Sequence, residues 1–313
     1  MKYVVKKVAI FLVTLLVISI LIFVAFQIIP GDPTTKMLGT QATPEKVEAL
    51  REELGLNEPG IIRYFKWLGG FLIGDFGISY SYNMPVSQLL EGKLGVTAAL
   101  TLMAFVLVVV ISIPVGILLA RFAHSIPDRV MMVLNQLIMS IPAFFIGIVF
   151  TYVFGLVFKL FTPGDFISHA QDPVGFWGYL FFPALAIALP KSAMVIKMLR
   201  SSMVSQMQED YVRTAYSRGN SRWRVLRHHV LRNAMIPVIT FLAFTLVDII
   251  AGSIIIEKVF AIPGMGRLLM SSITGRDYPA AQTIIMIIAT IVITVNYLAD
   301  ISYKYIDPRI RFR

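Results

Sequence analysis

Residues 206–237 read QMQEDYVRTAYSRGNSRWRVLRHHVLRNAMIP, a strongly polar segment that lies between two long apolar stretches. The pattern predicts two short helices joined at Gly219, because glycine readily adopts the left-handed conformation in which many helices end. The first helix is expected at about residues 205–218. Ser221 is expected to cap the second helix, since a serine oxygen can accept a hydrogen bond from a free N–H of the first turn.

The predicted bend between the two helices, called the elbow here, has small residues on part of its surface. Ala215 lies one turn before Gly219, so the elbow would fit a groove on another protein. Glu209 and Asp210 fall in the early turns of the first helix, where negative charge is favourable. A basic loop held on anionic lipid would explain the arginines, but not the acidic pair or the Ala-x3-Gly spacing. The spacing therefore favours a protein partner over a lipid surface.

Outside this segment the chain is dominated by apolar runs. It is 57% hydrophobic and 15% charged, against roughly 25% charged for a soluble domain. A helix of about 20 apolar residues crosses a bilayer, and the first run is expected to be a retained helix because no cleavage site follows it. The six predicted spans are residues 8–29, 96–120, 130–158, 173 to about 196, 234–256 and 280–299.

The distribution of Lys and Arg predicts the orientation. Six spans place both termini on one side of the membrane, and the segments on that side hold 18 of the 28 Lys and Arg residues. The opposite loops hold 12 of the 18 acidic residues. The positive-inside rule therefore predicts that both termini are cytoplasmic. The net charge of +10 follows this topology, so it does not indicate a nucleic-acid partner.

The longest outer segment, residues 30–95, is expected to be partly helical. Thr43 followed by Pro44 is typical of a helix start, and Gly55 is expected to end that helix. Residues 61–68 form an aromatic-rich run that suits a helix in the membrane interface. This run is interpreted either as an anchoring belt or as a docking surface for a partner.

No catalytic or metal site is predicted. A P-loop string is absent, so the chain is not expected to bind or hydrolyse ATP, and it has no cysteine. Asp248 is the one ionisable residue central to a predicted span, with no charged partner expected. A charged side chain inside the membrane is costly and usually has a function. Asp248 is therefore expected either to line a water-filled path or to accept structural hydrogen bonds from a neighbouring helix. Asp300 is expected to cap its helix or pair with Lys304.

The polar segment also carries a family resemblance. The segment is similar to the Glu-Ala-Ala-x3-Gly loop of binding-protein-dependent ABC importer permeases. The strings that carry this similarity are DYV at 210–212, RTA-x3-G at 213–219 and LRNAMIP at 231–237. The longer gap from glycine to proline resembles the oligopeptide/dipeptide/nickel branch, specifically its first permease subunit. Asp248 departs from this pattern. The other strings that carry the resemblance are IPGDP at 29–33, GDFGIS at 74–79, VFAIPGMGR at 259–267, RDYP at 276–279, Gln282, Asn296, Asp300 and DPR at 307–309.

The resemblance implies an all-α integral membrane protein with the type I ABC importer permease fold. Its parts would be a first transmembrane helix with an external segment at 1–95, a core transmembrane domain at 96–303 and a cytoplasmic tail at 304–313. The coupling loop would span 200–233. Asp248, which departs from the family pattern, is a candidate for the translocation path on its position in a span alone. The residues implied to contact an ATPase are Glu209, Asp210, Tyr211, Val212, Arg213, Thr214, Ala215 and Gly219, with Ala215 and Gly219 at the closest approach.

The resemblance also implies partners and cargo. An extracytoplasmic solute-binding protein would deliver peptides to this chain and a second homologous permease subunit in the prokaryotic inner membrane. Two ABC ATPase subunits would bind ATP and Mg and drive alternating access. Nickel or another small solute is the alternative cargo, and an ion-coupled carrier and a membrane scaffold are the alternative classes of protein.

Overall fold

In a computed structural model, the regular elements of the chain are helical, as expected from the apolar runs. The structure describes residues 2–28 and 32–306. Parts of two predicted motifs, at residues 29–31 and 307–309, lie outside the described residues. The expected contact of Asp300 with Lys304 also lies outside them, because neither side chain is described.

Fourteen α-helices follow one another along the described residues. In chain order they are α1 (Lys2–Ile28), α2 (Pro33–Leu38), α3 (Pro44–Glu53), α4 (Gly60–Ile73), α5 (Val86–Leu90), α6 (Lys93–Arg121), α7 (Ile126–Ser140), α8 (Ala143–Phe150), α9 (Pro173–Gln206), α10 (Asp210–Ser217), α11 (Arg222–Val225), α12 (Leu231–Val259), α13 (Met265–Gly275) and α14 (Tyr278–Ile306). A 3-10 turn at Gly39–Gln41 and π-helical segments at Thr151–Val157 and Leu226–Val230 complete the order.

The chain forms two compact units, Met1–Val96 with Pro263–Thr294 and Thr97–Ile262 with Val295–Arg313. In the first unit, the predicted helix start at Thr43 is confirmed, because its side chain accepts a hydrogen bond from the Lys46 N–H at 3.4 Å. The aromatic run is helical in α4, and Tyr64 of α4 bonds Ser19 of α1 through the two hydroxyls at 2.8 Å.

The first unit also buries a carboxylate. Asp277 is fully buried and accepts hydrogen bonds from the Ser79 hydroxyl, the Tyr80 N–H at 3.0 Å and the Ser81 N–H at 3.3 Å. The predicted GDFGIS and RDYP strings therefore meet, since Ser79 closes the first string and Asp277 lies in the second. This contact fixes the loop before α5 against the start of α14.

In the second unit, α9 and α12 form a long antiparallel pair. The Tyr179 hydroxyl donates to the Phe260 carbonyl at 2.6 Å at one end. The Ser202 hydroxyl donates to the Ala234 carbonyl at 2.9 Å at the other. Because an α-helix rises about 1.5 Å per residue, these two ties lie roughly 35–39 Å apart, which exceeds the roughly 30 Å of a hydrocarbon core.

Within residues 2–28 and 32–306, five helices are long and apolar enough to span a membrane, and α7 with α8 forms a sixth candidate bent by 92°. The predicted span at 130–158 is therefore sharply bent, and its helix begins earlier, at Ile126. The residue before a proline avoids the helical region, and Ile141 before Pro142 is extended (φ −89°, ψ 123°), which ends α7 at Ser140.

Contacts to α9 and α12 show that α7 and α8 together run from one end of those two long helices to the other. Near the Ser202 end, Asp128 at the start of α7 bonds Arg200. Midway, the Asn135 side-chain N–H donates to the Ala193 carbonyl at 2.6 Å. At the Phe260 end, Gly147 of α8 lies so close to the Phe260 ring that a Cβ there would sit 3.1 Å from it. The pair therefore passes from one end of the two long helices to the other, as one broken span does, and counted in this way the described residues hold six candidate spans.

Candidate functional site

The polar loop between α9 and α12 is built around a short exposed helix. The expected start near residue 205 is wrong, because α9 continues to Gln206 and α10 begins only at Asp210. Glu209 has extended backbone at the N-cap, and Asp210 places a negative charge in the first turn, where the helix dipole stabilises it. The Tyr211 hydroxyl donates to Gln206 at 2.8 Å and ties α10 back to α9.

The elbow after α10 forms at the predicted glycine. Gly219 has a positive φ of 78°, which confirms the left-handed helix end. Asn220 closes the turn, since its backbone and side-chain N–H groups donate to the Ala215 carbonyl at 3.4 and 3.0 Å. Ser221 occupies the cap position of α11, but its side chain makes no capping bond. The second short helix is not separate, because α11 runs through the π-helical segment into α12.

The two faces of α10 differ in exposure. Val212 and Ala215 are 1% and 6% exposed and face the interior of their own chain. Ala215, expected at the closest approach to a partner, is therefore not on the outer surface. Asp210 and Arg213 have side chains that are 95% and 79% exposed. The other exposed residues of the outer edge are Glu209, Thr214, Tyr216, Ser217, Arg218 and Gly219, and Tyr211 is half-buried.

The loop is also joined to the end of α6. A side-chain N–H of Arg222 donates to the Arg121 carbonyl at 2.8 Å. The Arg121 guanidinium in turn lies over the Trp223 ring, 5.6 Å from its centre, in a cation–π contact. A displacement of α10 and its elbow therefore reaches both α12, through continuous helix, and α6, through these contacts.

An ion pair that sequence reasoning missed lies between α7 and α9. Arg200 donates two hydrogen bonds to Asp128, from Nε to Oδ1 at 2.6 Å and from Nη2 to Oδ2 at 2.5 Å. Asp128 also accepts the His124 N–H at 2.8 Å, and its side chain is 1% exposed. Such bidentate pairs fix geometry more firmly than a single bond. The partners are separated by 72 residues, so no local pattern connects them.

A second ion pair joins α9 to α12. Lys191 Nζ lies 2.9 Å from Asp248 Oδ2. The expectation that Asp248 lacks a charged partner is therefore wrong. Lys191 was counted with the cytoplasmic loop in the orientation argument, but α9 continues past Pro190 for another sixteen residues and keeps Lys191 inside the helix.

The depth of this pair follows from the two backbone ties. Lys191 is twelve residues from Tyr179 along α9, and Asp248 is twelve residues from Phe260 along α12. Both distances correspond to about 18 Å of helix. The pair is therefore about midway between the ends of the α9–α12 pair, close to the centre of a hydrocarbon layer about 30 Å thick.

Asp248 is open on one side despite this depth. Its side chain is 57% exposed and that of Lys191 is 24% exposed. On α12, the neighbouring exposed residues are Phe244, Ala251 and Ile255, which lie at helical spacing on the same face. Charge facing lipid at this depth is unfavourable by about 3 kcal/mol or more. The face is therefore suited to water or another protein surface.

Comparison with known proteins gives the family. Residues 112–312 match the family described as "Binding-protein-dependent transport system inner membrane component". Residues 1–101 match the family that describes the N-terminal part of such a membrane component. Together these matches cover most of the chain.

Several curated relatives match end to end. A protein named as a peptide transport system permease of Brucella abortus is 35% identical over 307 residues, 98% of each chain. A protein named as a peptide ABC transporter permease of Sinorhizobium fredii is 33% identical over 310 residues, 99% of each chain. The glutathione transport system permease protein GsiC of Escherichia coli is 33% identical over 313 residues, all of both chains.

Two solved structures share the fold. The MetNI methionine ABC transporter in an inward-facing conformation has a TM-score of 0.58 and 17% identity over 70% of this chain and 97% of its own. An amino acid ABC transporter has a TM-score of 0.55 and 17% identity over 70% of this chain and 94% of its own. At this identity the likeness establishes the type I ABC importer permease fold. The chain is a non-catalytic, multi-pass membrane protein of the ABC importer inner-membrane permease family.

Proposed function

We propose that this permease carries peptides, including short ones such as glutathione, across the inner membrane. The observation that supports the cargo is the end-to-end similarity to permeases named for peptide and glutathione transport. Cargo reaches the outer face on an extracytoplasmic solute-binding protein. A second homologous permease subunit completes the path, and Asp248 lies on the wall of that path.

The exposed edge of α10 is the docking surface for an ABC ATPase. Two such subunits bind ATP and Mg, and their closure moves the elbow. Support comes from the 95% and 79% exposure of Asp210 and Arg213 on a loop that is otherwise tied to α6 and α12. Both termini are cytoplasmic, consistent with six spans and with the excess of Lys and Arg on that side. Residues 1–95, 96–303 and 304–313 form the N-terminal, core and tail segments.

Cysteine cross-linking tests the docking surface, because the chain contains no cysteine. Ser217→Cys, on the exposed edge, carries a photo-activated cross-linker in the importer assembled with its ATPases. We expect a cross-link to the ATPase that changes when ATP is added. Ala215→Cys, two residues earlier on the opposite face of α10 and 6% exposed, is the matched control and should cross-link weakly. Equal yields at both positions, or no ATPase adduct at Ser217 and Thr214, would contradict the docking proposal.

Uptake assays test cargo and energy source. Cells that contain the importer should accumulate radiolabelled trialanine and glutathione, and accumulation should stop when the ATPase partner carries an inactivating P-loop substitution. An ion-coupled carrier would instead lose uptake when a protonophore collapses the ion gradient while ATP is maintained. Uptake of nickel without uptake of either peptide would assign the chain to the alternative cargo.

A further inference from the structure

The Lys191–Asp248 pair has unused bonding capacity in the middle of the membrane. Asp248 accepts one bond, through Oδ2, and Lys191 donates one of its three N–H groups. Asp128, by contrast, accepts three bonds through both oxygens. In the described part of the chain, the Lys191–Asp248 pair is therefore an ion pair with places left for further partners.

We propose that this pair is a binding point for zwitterionic cargo, with the Asp248 carboxylate taking the ammonium group of a peptide and the Lys191 ammonium taking its carboxylate. The proposal rests on the proposed function as a peptide permease. It adds two specificity-determining residues and a chemical class of ligand, a solute that carries both an amino and a carboxyl group.

Exposure and depth both support this role. The 57% exposed side chain of Asp248 opens onto a face bordered by Phe244 and Ala251, away from the interior of its own unit. A charge held against lipid at that depth would be unfavourable, whereas a water-filled path lowers this penalty. A single carboxylate would attract cations of every kind, but the adjacent Lys191 makes the empty site neutral.

Exchange of partners explains how cargo passes without leaving a charge unpaired. In the empty site, Lys191 and Asp248 neutralise each other at 2.9 Å. When a zwitterion arrives, each side chain gains an opposite charge on the cargo before it loses its partner, so the number of ion pairs does not fall. Departure of the cargo restores the original pair. The site therefore recognises a peptide by its termini and remains tolerant of its side chains.

Three variants measured with three cargos test the proposal. Asp248→Asn, Lys191→Met and the double variant are assayed for uptake of trialanine, N-acetyl-trialanine and trialanine amide in the complete importer. The same binding protein serves every variant, so its own selectivity cancels when each variant is compared with the wild type.

We expect Asp248→Asn to lower trialanine uptake about ten-fold, because one charge-assisted hydrogen bond to the cargo is lost. Uptake of N-acetyl-trialanine should change little, because this cargo has no ammonium group for Asp248 to bind. Lys191→Met should do the same to trialanine but spare trialanine amide. A uniform loss for all three cargos would make the pair structural and overturn the proposal. Failure of the wild type to transport any peptide would instead overturn the proposed function.

Cysteine accessibility supplies a second test that leaves the ion pair intact. Ala251→Cys lies one turn beyond Asp248 on the same exposed face and should react with a charged methanethiosulfonate reagent. Saturating trialanine should slow this reaction several-fold in the assembled importer. Val110→Cys on α6, at a position 61% exposed within an apolar run, is the control and should not react. An unreactive Ala251→Cys, or one whose reaction trialanine does not slow, would also overturn the proposal.

Discussion

Helix α9 carries two ion pairs that differ in almost every physical respect. Arg200 meets Asp128 of α7 through two hydrogen bonds, and the Asp128 side chain is 1% exposed. Lys191, nine residues earlier, meets Asp248 of α12 through one bond, and the Asp248 side chain is 57% exposed. The first pair has little room for another partner, whereas the second is open on one side.

The difference separates a structural contact from a candidate site. A buried pair with good geometry has compensated its desolvation, and removal of one partner leaves an uncompensated charge. A pair that is open and under-bonded contributes less to stability, yet its charges remain available to a solute. Stability and transport measurements should therefore rank the two pairs in opposite orders.

The largest expected effect on stability is that of Asp128→Ala. This change leaves the Arg200 guanidinium, 18% exposed, without its carboxylate and removes the acceptor of the His124 N–H. Loss of one partner of a buried pair lowers the free energy of unfolding by about 3–5 kcal/mol. Thermal unfolding in detergent micelles measures the effect. Asp210→Ala, at a carboxylate 95% exposed, is the control and should lower the melting temperature far less. Equal melting temperatures for the two variants would show that the Asp128 pair is not structural.

A buried carboxylate that forms no salt bridge with any described residue sharpens the comparison. Asp277 is fully buried, and its charge is satisfied by hydrogen bonds from Ser79, Tyr80 and Ser81. Asp277→Asn replaces one acceptor oxygen with a donor, which places an N–H against an existing donor. We expect the free energy of unfolding to fall by about 1–3 kcal/mol. Ser79→Ala should lower it by less, and a larger effect of Ser79→Ala would reverse this assignment.

The choice between Arg and Lys distinguishes the pairs by geometry. Arg200→Lys keeps the charge but cannot form both bonds to Asp128, so it should lower the free energy of unfolding by about 1–2 kcal/mol. Lys191→Arg retains a single-bonded geometry and should change stability by less. The two variants are compared by thermal unfolding under identical conditions. A greater loss for Lys191→Arg would mean that the Lys191 site is the more constrained of the two.

Sequence alone predicted the parts of this molecule that depend on local chemistry. The spans followed from run length, because a bilayer requires about 20 apolar residues in a helix. The left-handed end at Gly219 and the cap at Thr43 followed from the conformational and hydrogen-bonding preferences of those residues. The bend after Ser140 had a local signal in Ile141-Pro142, but prolines inside spans are often tolerated, so the signal did not distinguish a kink from a break.

The parts that sequence did not predict depend on helix rotation and on pairing across long separations. Ala215 and Arg213 are only two residues apart on α10, yet Ala215 is 6% exposed and Arg213 is 79% exposed. Which of them faces outward is decided by packing of α10 against α11. Lys191 and Asp248 are 57 residues apart, and their contact requires the register of α9 against α12 that the Tyr179–Phe260 tie sets.

The smallest expected effect on stability is that of Asp248→Asn. Exposed ion pairs contribute about 0–1 kcal/mol, because solvent screens the charges and ordering two side chains offsets the attraction. The Asp248 side chain is 57% exposed and makes one bond, so its loss should lower the free energy of unfolding by less than the loss of the buried Asp128 carboxylate does. The measurement is thermal unfolding of Asp248→Asn beside Asp128→Asn, a matched change in the buried pair. If Asp248→Asn is the more destabilising of the two, then the exposed pair holds α9 and α12 together, and the distinction between a structural pair and an open one does not hold for this chain.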